Sequence, residues 1–203
     1  MLCHQIPSTV RLPTVGILVF LSSWLPAAEW DGRTVVQRLQ SVTDTAGKRH
    51  DLFADRSVQC VAVVFITTHC PIANYYQPTL ARMTKNYTDQ NVRIVLVHAN
   101  PQTDEDSATR HADEFKATAC ILVDPKLHLA RGLGATITPE AVVIDRHGRI
   151  RYRGRIDDTY VGLGRKRLKP RTHNLCDAIN AVLVGQRVSN PRTKAIGCYI
   201  PFD

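Results

Sequence analysis

A chain of 203 residues with 44 % apolar and 22 % charged side chains has enough material for one domain around a buried core, which excludes disordered and fibrous classes. Its net charge of +8 leaves nucleic acid or an anionic surface as partners to be weighed. Its six cysteines contain no CxxC pair, which excludes zinc-ribbon spacing, and they are too few for a small disulfide scaffold.

The first 28 residues read as a secretory signal peptide: Arg11, then the apolar run Val15–Leu25, then Pro26-Ala27-Ala28, with cleavage expected near Ala28–Glu29. The run is too short to span a bilayer comfortably, and no other stretch of the sequence is longer and as apolar, so no membrane span is expected after cleavage. The expected product is soluble and exported, periplasmic or extracellular, and a nucleic-acid partner is then excluded. Without the leader five cysteines remain: Cys60, Cys70, Cys120, Cys176 and Cys198. An exported chain can keep disulfides, but an odd number leaves at least one thiol over.

In chain order, residues 34–54 read as two short strands around the turn "DTAGK". "VQCVAVVFI" is a continuous apolar, β-branched run, as expected of a strand buried on both faces. "PIANYYQPTLARMTKNY" places Ile72, Tyr76, Leu80, Met83 and Tyr87 at helical spacing. "VRIVLVHAN" is a second buried strand, and "DEDSATRHADEFKA" a helix with acidic residues at its start. "CILVD" reads as a third strand and "HLARGLGA" as a short helix ended by glycine. "TPEAVVID", "RHG" and "RIRYRGRI" form a hairpin. "RKRLKPR", residues 165–171, reads as a solvated loop or as a dock for an acidic partner or membrane surface. "THNLCDAINAVLVG" is a last helix, with Thr172 or Asn174 near its cap and Gly185 past its end. Residues 186–203 show no period and form a mobile-looking tail carrying Cys198. The expected organisation is a leader at 1–28, one domain at 29–185 and this tail.

Strands alternating with helices and closing on a hairpin imply an α/β sheet covered on both faces. Sites in such sheets lie at the carboxyl ends of parallel strands, where Cys70 ends one strand and His98 and Asn100 end the next. The helix N-terminus after Cys70 favours a thiolate, the reactive form of the thiol, and Pro71 suits the first helical turn. A protonated His69 adds to this, and Thr67, three residues before Cys70, offers a hydroxyl to a thiolate or to a bound oxygen. Cys60, Cys120 and Cys176 read as packing residues.

"VVFITTHCP" followed by "TPEAVVID" resembles the thioredoxin superfamily, and within it exported redoxin-domain proteins of the peroxiredoxin-like (thiol-specific antioxidant) branch. The match is carried by Cys70-Pro71 after a buried strand, by Pro78 inside the following helix, and by Thr138-Pro139 before "EAVVID". The stretch from Tyr152 to Gly185 resembles the closing part of the same proteins. The resemblance implies a thioredoxin-like fold with a central mixed β-sheet, and a cis-proline at Pro139 facing the Cys70 sulfur, with Thr138 beside it. It implies a thiol-dependent oxidoreductase with Cys70 as its single loop nucleophile, no cofactor, an external thiol reductant, and a protein thiol or disulfide, or a peroxide, as substrate.

Two departures qualify this. The second cysteine of a thioredoxin motif is replaced by Ala73, so a mixed disulfide on Cys70 cannot be resolved within the loop. Of the peroxiredoxin pattern PxxxTxxC, Thr67 and Cys70 are present but Val63 stands in place of the proline. A resolving thiol near the C-terminus occurs in several peroxiredoxin groups, which makes Cys198 in "AIGCYI" the candidate here; the same segment also reads as simple surface packing. The alternative is a copper-binding or delivery protein on this fold, with Cys70 and His69 or His98 as ligands, or a non-catalytic interaction module. The copper proteins resembled carry two loop cysteines where this chain has one.

Overall fold

In the computed structural model of this chain, residues 32–39 and 42–202 are described. The expected signal peptide lies outside them. Among the described residues no helix is long and apolar enough to cross a membrane.

The first element differs from expectation. Residues Gly32–Leu39 form helix α1, where the sequence suggests a strand. The β-branched Thr34, Val35 and Val36 bias the reading, but Val35 and Leu39, one turn apart, are both buried on one side of the helix. The hairpin follows as β1 (Val42–Thr43) and β2 (Arg49–His50), around a turn in which Gly47 takes a φ of 76°. Strand β3 (Cys60–Ile66) is buried at every residue, as its apolar run requires. Then come α2 (Pro71–Thr88), β4 (Val92–His98), α3 (Glu105–Glu114) and β5 (Cys120–Val123). Asp104 and Ser107 close the start of α3 with a reciprocal capping box. Helix α4 (His128–Leu133) ends at Gly134, and short strand β6 (Ile137–Thr138) leads into β7 (Glu140–Asp145) and β8 (Ile150–Gly154).

The central sheet has the order β5-β4-β3-β7-β8. β3, β4 and β5 are parallel, while β7 is antiparallel to both β3 and β8, so the sheet is mixed. Alternation along β3 sends Ala62, Val64 and Ile66 into a core shared with Tyr76, Leu80 and Met83 of α2. Val61, Val63 and Phe65 enter a second core with α1 and with Ala130 and Leu133 of α4. Helices therefore cover both faces, as anticipated.

Beyond β8, strands β9 (Tyr160–Gly162) and β10 (Arg165–Lys166) pair with each other, so the basic segment 165–171 is in part a strand. Helix α5 (Asn174–Leu183) completes the first layer, with Gly185 past its end at a φ of 68°. Its cap is His173, which makes no side-chain bond and lies between Thr172 and Asn174, the two residues expected near the cap; the Thr172 hydroxyl donates to Asn174 Oδ1 at 3.0 Å.

The tail is pinned down along its length. Arg153 N–H donates to the Pro191 carbonyl at 2.9 Å, Thr193 N–H to the Arg153 carbonyl at 3.1 Å, and Ile200 N–H to the Thr136 carbonyl at 3.0 Å. Strand β11 (Cys198–Tyr199) lies antiparallel on β6, with Cys198 opposite Thr138 and Tyr199 opposite Ile137. Ile200 is buried in the second core.

Candidate active site

Cys70 follows the carboxyl end of β3 and is the cap residue of α2, with extended backbone at φ −86° and ψ 108°. Pro71 occupies the first turn, where its missing N–H costs nothing. The Cys70 sulfur receives the Ala73 N–H at 3.4 Å, in the manner of a capping oxygen, and its own S–H donates to the Thr138 carbonyl at 3.1 Å. The residue is 0 % exposed. The Thr138–Pro139 peptide is cis, so the structure brings Cys70, Thr138 and Pro139 together from two elements 68 residues apart.

A fourth residue joins them. Because Cys198 pairs across from Thr138, whose carbonyl accepts the Cys70 S–H, its side chain comes near that of Cys70. Partial burial, with the Cys70 side chain next in importance, pushes the Cys198 thiol up to about 11. The Thr138 hydroxyl donates to the Cys198 carbonyl at 3.4 Å, and Ile200 anchors the strand beyond. Cys198 itself is exposed, and both cysteines are free thiols.

The loop that presents Cys70 is braced by groups that sequence reading passed over. Asn74 donates from Nδ2 to the Thr68 carbonyl at 3.0 Å and accepts at Oδ1 from His111 Nε2 at 2.9 Å. Glu140, directly after the cis-proline, is buried and accepts the N–H groups of Thr136 (2.8 Å) and Ile137 (3.3 Å), which fixes β6. Burial raises its carboxyl, and those two N–H bonds pull it back. Tyr75, Tyr76 and Tyr160 pack ring against ring, and the Tyr76 hydroxyl donates to Asp157 Oδ1 at 2.5 Å. The Tyr160 hydroxyl is pushed up by burial, then by Tyr75 and by Cys70, and Tyr76 and Tyr160 belong to the same core as Cys70. The signal for it was present in the sequence as "ANYY", but its partner Tyr160 lies on β9, which has no recognisable period.

The remaining expected residues are placed less centrally. Thr67 is buried, and its hydroxyl oxygen accepts the His69 N–H at 3.2 Å, shaping the turn before Cys70. His69 is exposed and lines a cavity with Asn100, Ser107 and His111. His98 is fully buried, with its ring edge-on to His111 at 5.1 Å and no hydrogen-bond partner for either nitrogen. Burial, helped by His111, pushes it down to about 3, so it is neutral. Among the described residues, no set of three metal-ligating side chains that includes Cys70 brings its ligand atoms within 4.8 Å of one another. Cys60 is buried and pushed up to about 12, and Cys176 is raised by burial, which suits packing roles.

A Redoxin family model matches residues 28–160, which include the Cys70 loop and the cis-proline. The chain belongs to the Redoxin family. Over 86 residues this redoxin is 28 % identical to the thiol-disulfide oxidoreductase ResA of Halalkalibacterium halodurans, covering 42 % of this chain and 48 % of that protein; it thus spans about half the length of the curated relative it matches. A conserved protein of uncharacterised function from Geobacillus kaustophilus superposes with a TM-score of 0.70 at 25 % identity, over 80 % of this chain and 88 % of that one. A chain described as a thiol:disulfide interchange protein, DsbE, from Chlorobium tepidum superposes at 0.53 and 19 % identity over 70 % and 92 %, and shares the fold. The fold of this redoxin is thioredoxin-like. The tail, with Cys198, lies outside the matched family segment.

Proposed function

We propose that this redoxin is an exported thiol–disulfide oxidoreductase whose redox pair is Cys70 and Cys198, one sulfur from the α2 N-terminus and one from the tail. The observation that carries the reading is the register of β11 on β6, which sets Cys198 opposite Thr138 and its thiol beside that of Cys70. Ala73 therefore does not leave Cys70 without a resolving partner. The leader expected at 1–28 supports export, and the similarity to the thiol-disulfide oxidoreductase ResA supports the reaction class.

The cycle has four thiol–disulfide exchanges. With the tail lifted from β6, Cys70 Sγ attacks one sulfur of a substrate disulfide; that S–S bond breaks, a Cys70–substrate disulfide forms, and the Cys70 proton leaves with the departing substrate thiol. The tail then returns, and Cys198 Sγ attacks Cys70 Sγ, expelling the second substrate sulfur, which takes the Cys198 proton. The substrate has gained two electrons and the chain holds a Cys70–Cys198 disulfide. An external dithiol next attacks the exposed Cys198 sulfur, and Cys70 leaves toward the Ala73 N–H and the α2 N-terminus, which stabilise developing negative charge. The second thiol of the donor releases Cys198, and the donor departs as its disulfide.

The test is to treat the reduced chain, without its leader, with glutathione disulfide and map the sulfurs by mass spectrometry. The wild type is expected to end as Cys70–Cys198, and Cys198→Ser to stop at a Cys70–glutathione adduct. Wild-type chain that yields neither species would overturn the reading.

A further inference from the structure

A second cluster of reactive side chains lies on the β1–β2 hairpin and the neighbouring sheet edge. The Asp44 carboxylate, the His50 imidazole and the Cys120 thiol have ligand atoms within 4.8 Å of one another, and all three side chains are half-buried. We propose that Asp44, His50 and Cys120 form a metal site for a borderline divalent cation of the zinc class, independent of the Cys70–Cys198 pair.

The three groups come from three backbone segments, and each is held by the fold. Asp44 opens the hairpin turn, where its Oδ1 accepts the N–H groups of Ala46 and Lys48, both at 2.9 Å. That leaves Oδ2 to face His50 Nε2 at 2.6 Å, from the end of β2. Cys120 begins β5, and the hairpin is fastened to that strand by the Thr45 N–H donating to the Ile121 carbonyl at 3.2 Å. The turn therefore cannot drift from the cysteine without breaking this last bond, and metal binding has to replace the His50–Asp44 hydrogen bond and part those two side chains while the backbone that carries them stays in place.

The donor set selects the metal. One thiolate, one imidazole nitrogen and one carboxylate oxygen suit zinc, whereas calcium and magnesium demand oxygen throughout. On binding, the metal takes the place of the Cys120 thiol proton, which passes to solvent, and the thiolate together with Asp44 balances the charge of a divalent ion. His50 and Cys120 also line a cavity of about 330 Å³ with Asp55, Ser57 and Thr118, which leaves room for a water as fourth ligand. A set of three protein ligands with one open position differs from the closed four-ligand arrangement of purely structural zinc sites.

The probe is cobalt(II), added to the reduced, chelator-treated chain after removal of the chelator. One equivalent is expected to give a thiolate-to-cobalt charge-transfer band in the near ultraviolet, and zinc is expected to displace it. Cys120→Ser should abolish the band, whereas the Cys70→Ser/Cys198→Ser double variant should keep it. Asp44→Asn retains an oxygen for the turn bonds yet removes the charge, and should weaken cobalt binding by more than about tenfold, the lower end of the loss seen when even an outer partner of a metal ligand is removed. Zinc should raise the melting temperature of the wild type and not that of His50→Ala. A band that survives Cys120→Ser, or disappears in the Cys70/Cys198 double variant, would overturn the site, as would absence of any one-equivalent binding by folded wild-type chain.

Discussion

Gly197 lies against the backbone of Thr138: a Cβ built on Gly197 would stand 1.9 Å from the Thr138 carbonyl oxygen and 3.1 Å from Pro139 Cδ. Only a residue without a side chain lets β11 approach the cis-proline this closely, and that approach sets Cys198 beside Cys70. The obstacle is backbone, so it cannot swing aside as a flexible side chain would. Gly197→Ala is therefore expected to lift the tail from β6, slow formation of the Cys70–Cys198 disulfide by at least about tenfold, an effect of roughly 1.4 kcal/mol on the barrier, and speed alkylation of Cys70. Timed quenching with mass-spectrometric mapping measures both rates; unchanged disulfide formation would contradict the role given to this contact.

Glu140 supports the opposite side of the same junction. Its carboxylate is buried and accepts the N–H groups of Thr136 and Ile137, the two residues that lead into Thr138. Glu140→Ala would leave both donors without this partner. Thr136 is exposed and Ile137 half-buried, so water can reach the freed N–H groups and each lost bond costs about 0.5–1.5 kcal/mol; urea denaturation should show a loss of about 1–3 kcal/mol. Glu140→Gln keeps an oxygen acceptor and should recover most of it. Equal losses in both variants would mean that the charge, rather than the two hydrogen bonds, holds the loop.

How much of this the sequence discloses depends on the length of the signal. β3, β4 and α2 are legible because long β-branched runs and a five-residue helical stripe leave little ambiguity. Cys70, Thr138 and Pro139 follow from their positions around those elements. Helix α1 is misread because three adjacent β-branched residues outweigh the single i, i+4 pair Val35–Leu39. The tail is illegible for a different reason: a two-residue strand has no period, and its place is fixed by one glycine meeting one carbonyl 59 residues away. For His98, chain position suggests the mouth of the site, but side-chain direction decides, and the ring turns into the core toward His111.

That buried ring makes stability depend on acid. His98 binds its proton only near pH 3 in the folded chain, against 6.5 for an ordinary histidine. The unfolded chain therefore takes up the proton first as pH falls, so stability present above about 6.5 is lost progressively down to about 3, by an amount on the order of a few kcal/mol. His111, lowered chiefly by burial, acts in the same direction. His98→Leu should flatten this acid limb, and because neither His98 nitrogen has a partner it should also gain about 1 kcal/mol at neutral pH. Urea midpoints at several pH values test it; an acid limb as steep in His98→Leu as in the wild type would refute the assignment.

Cys70 is a helix cap and, in the proposed function, the redox sulfur, and substitution separates the two roles. Cys70→Ser places an oxygen where the cap sulfur receives the Ala73 N–H, and serine is a strong cap residue. Stability should change by no more than about 1 kcal/mol, while disulfide exchange is lost entirely. Ala73→Cys is the complementary experiment. It places a thiol three residues after Cys70, on the first turn of α2, at a position that is fully buried. The added sulfur overpacks the core by about 1–3 kcal/mol, but it can compete with Cys198 for Cys70. Oxidised Ala73→Cys is expected to divide between two disulfides, and in Ala73→Cys/Cys198→Ser exchange should return with the introduced thiol as resolving group. If the double variant instead stalls at the Cys70 adduct, the loop lacks the geometry for local resolution, and the tail is required for more than a second sulfur.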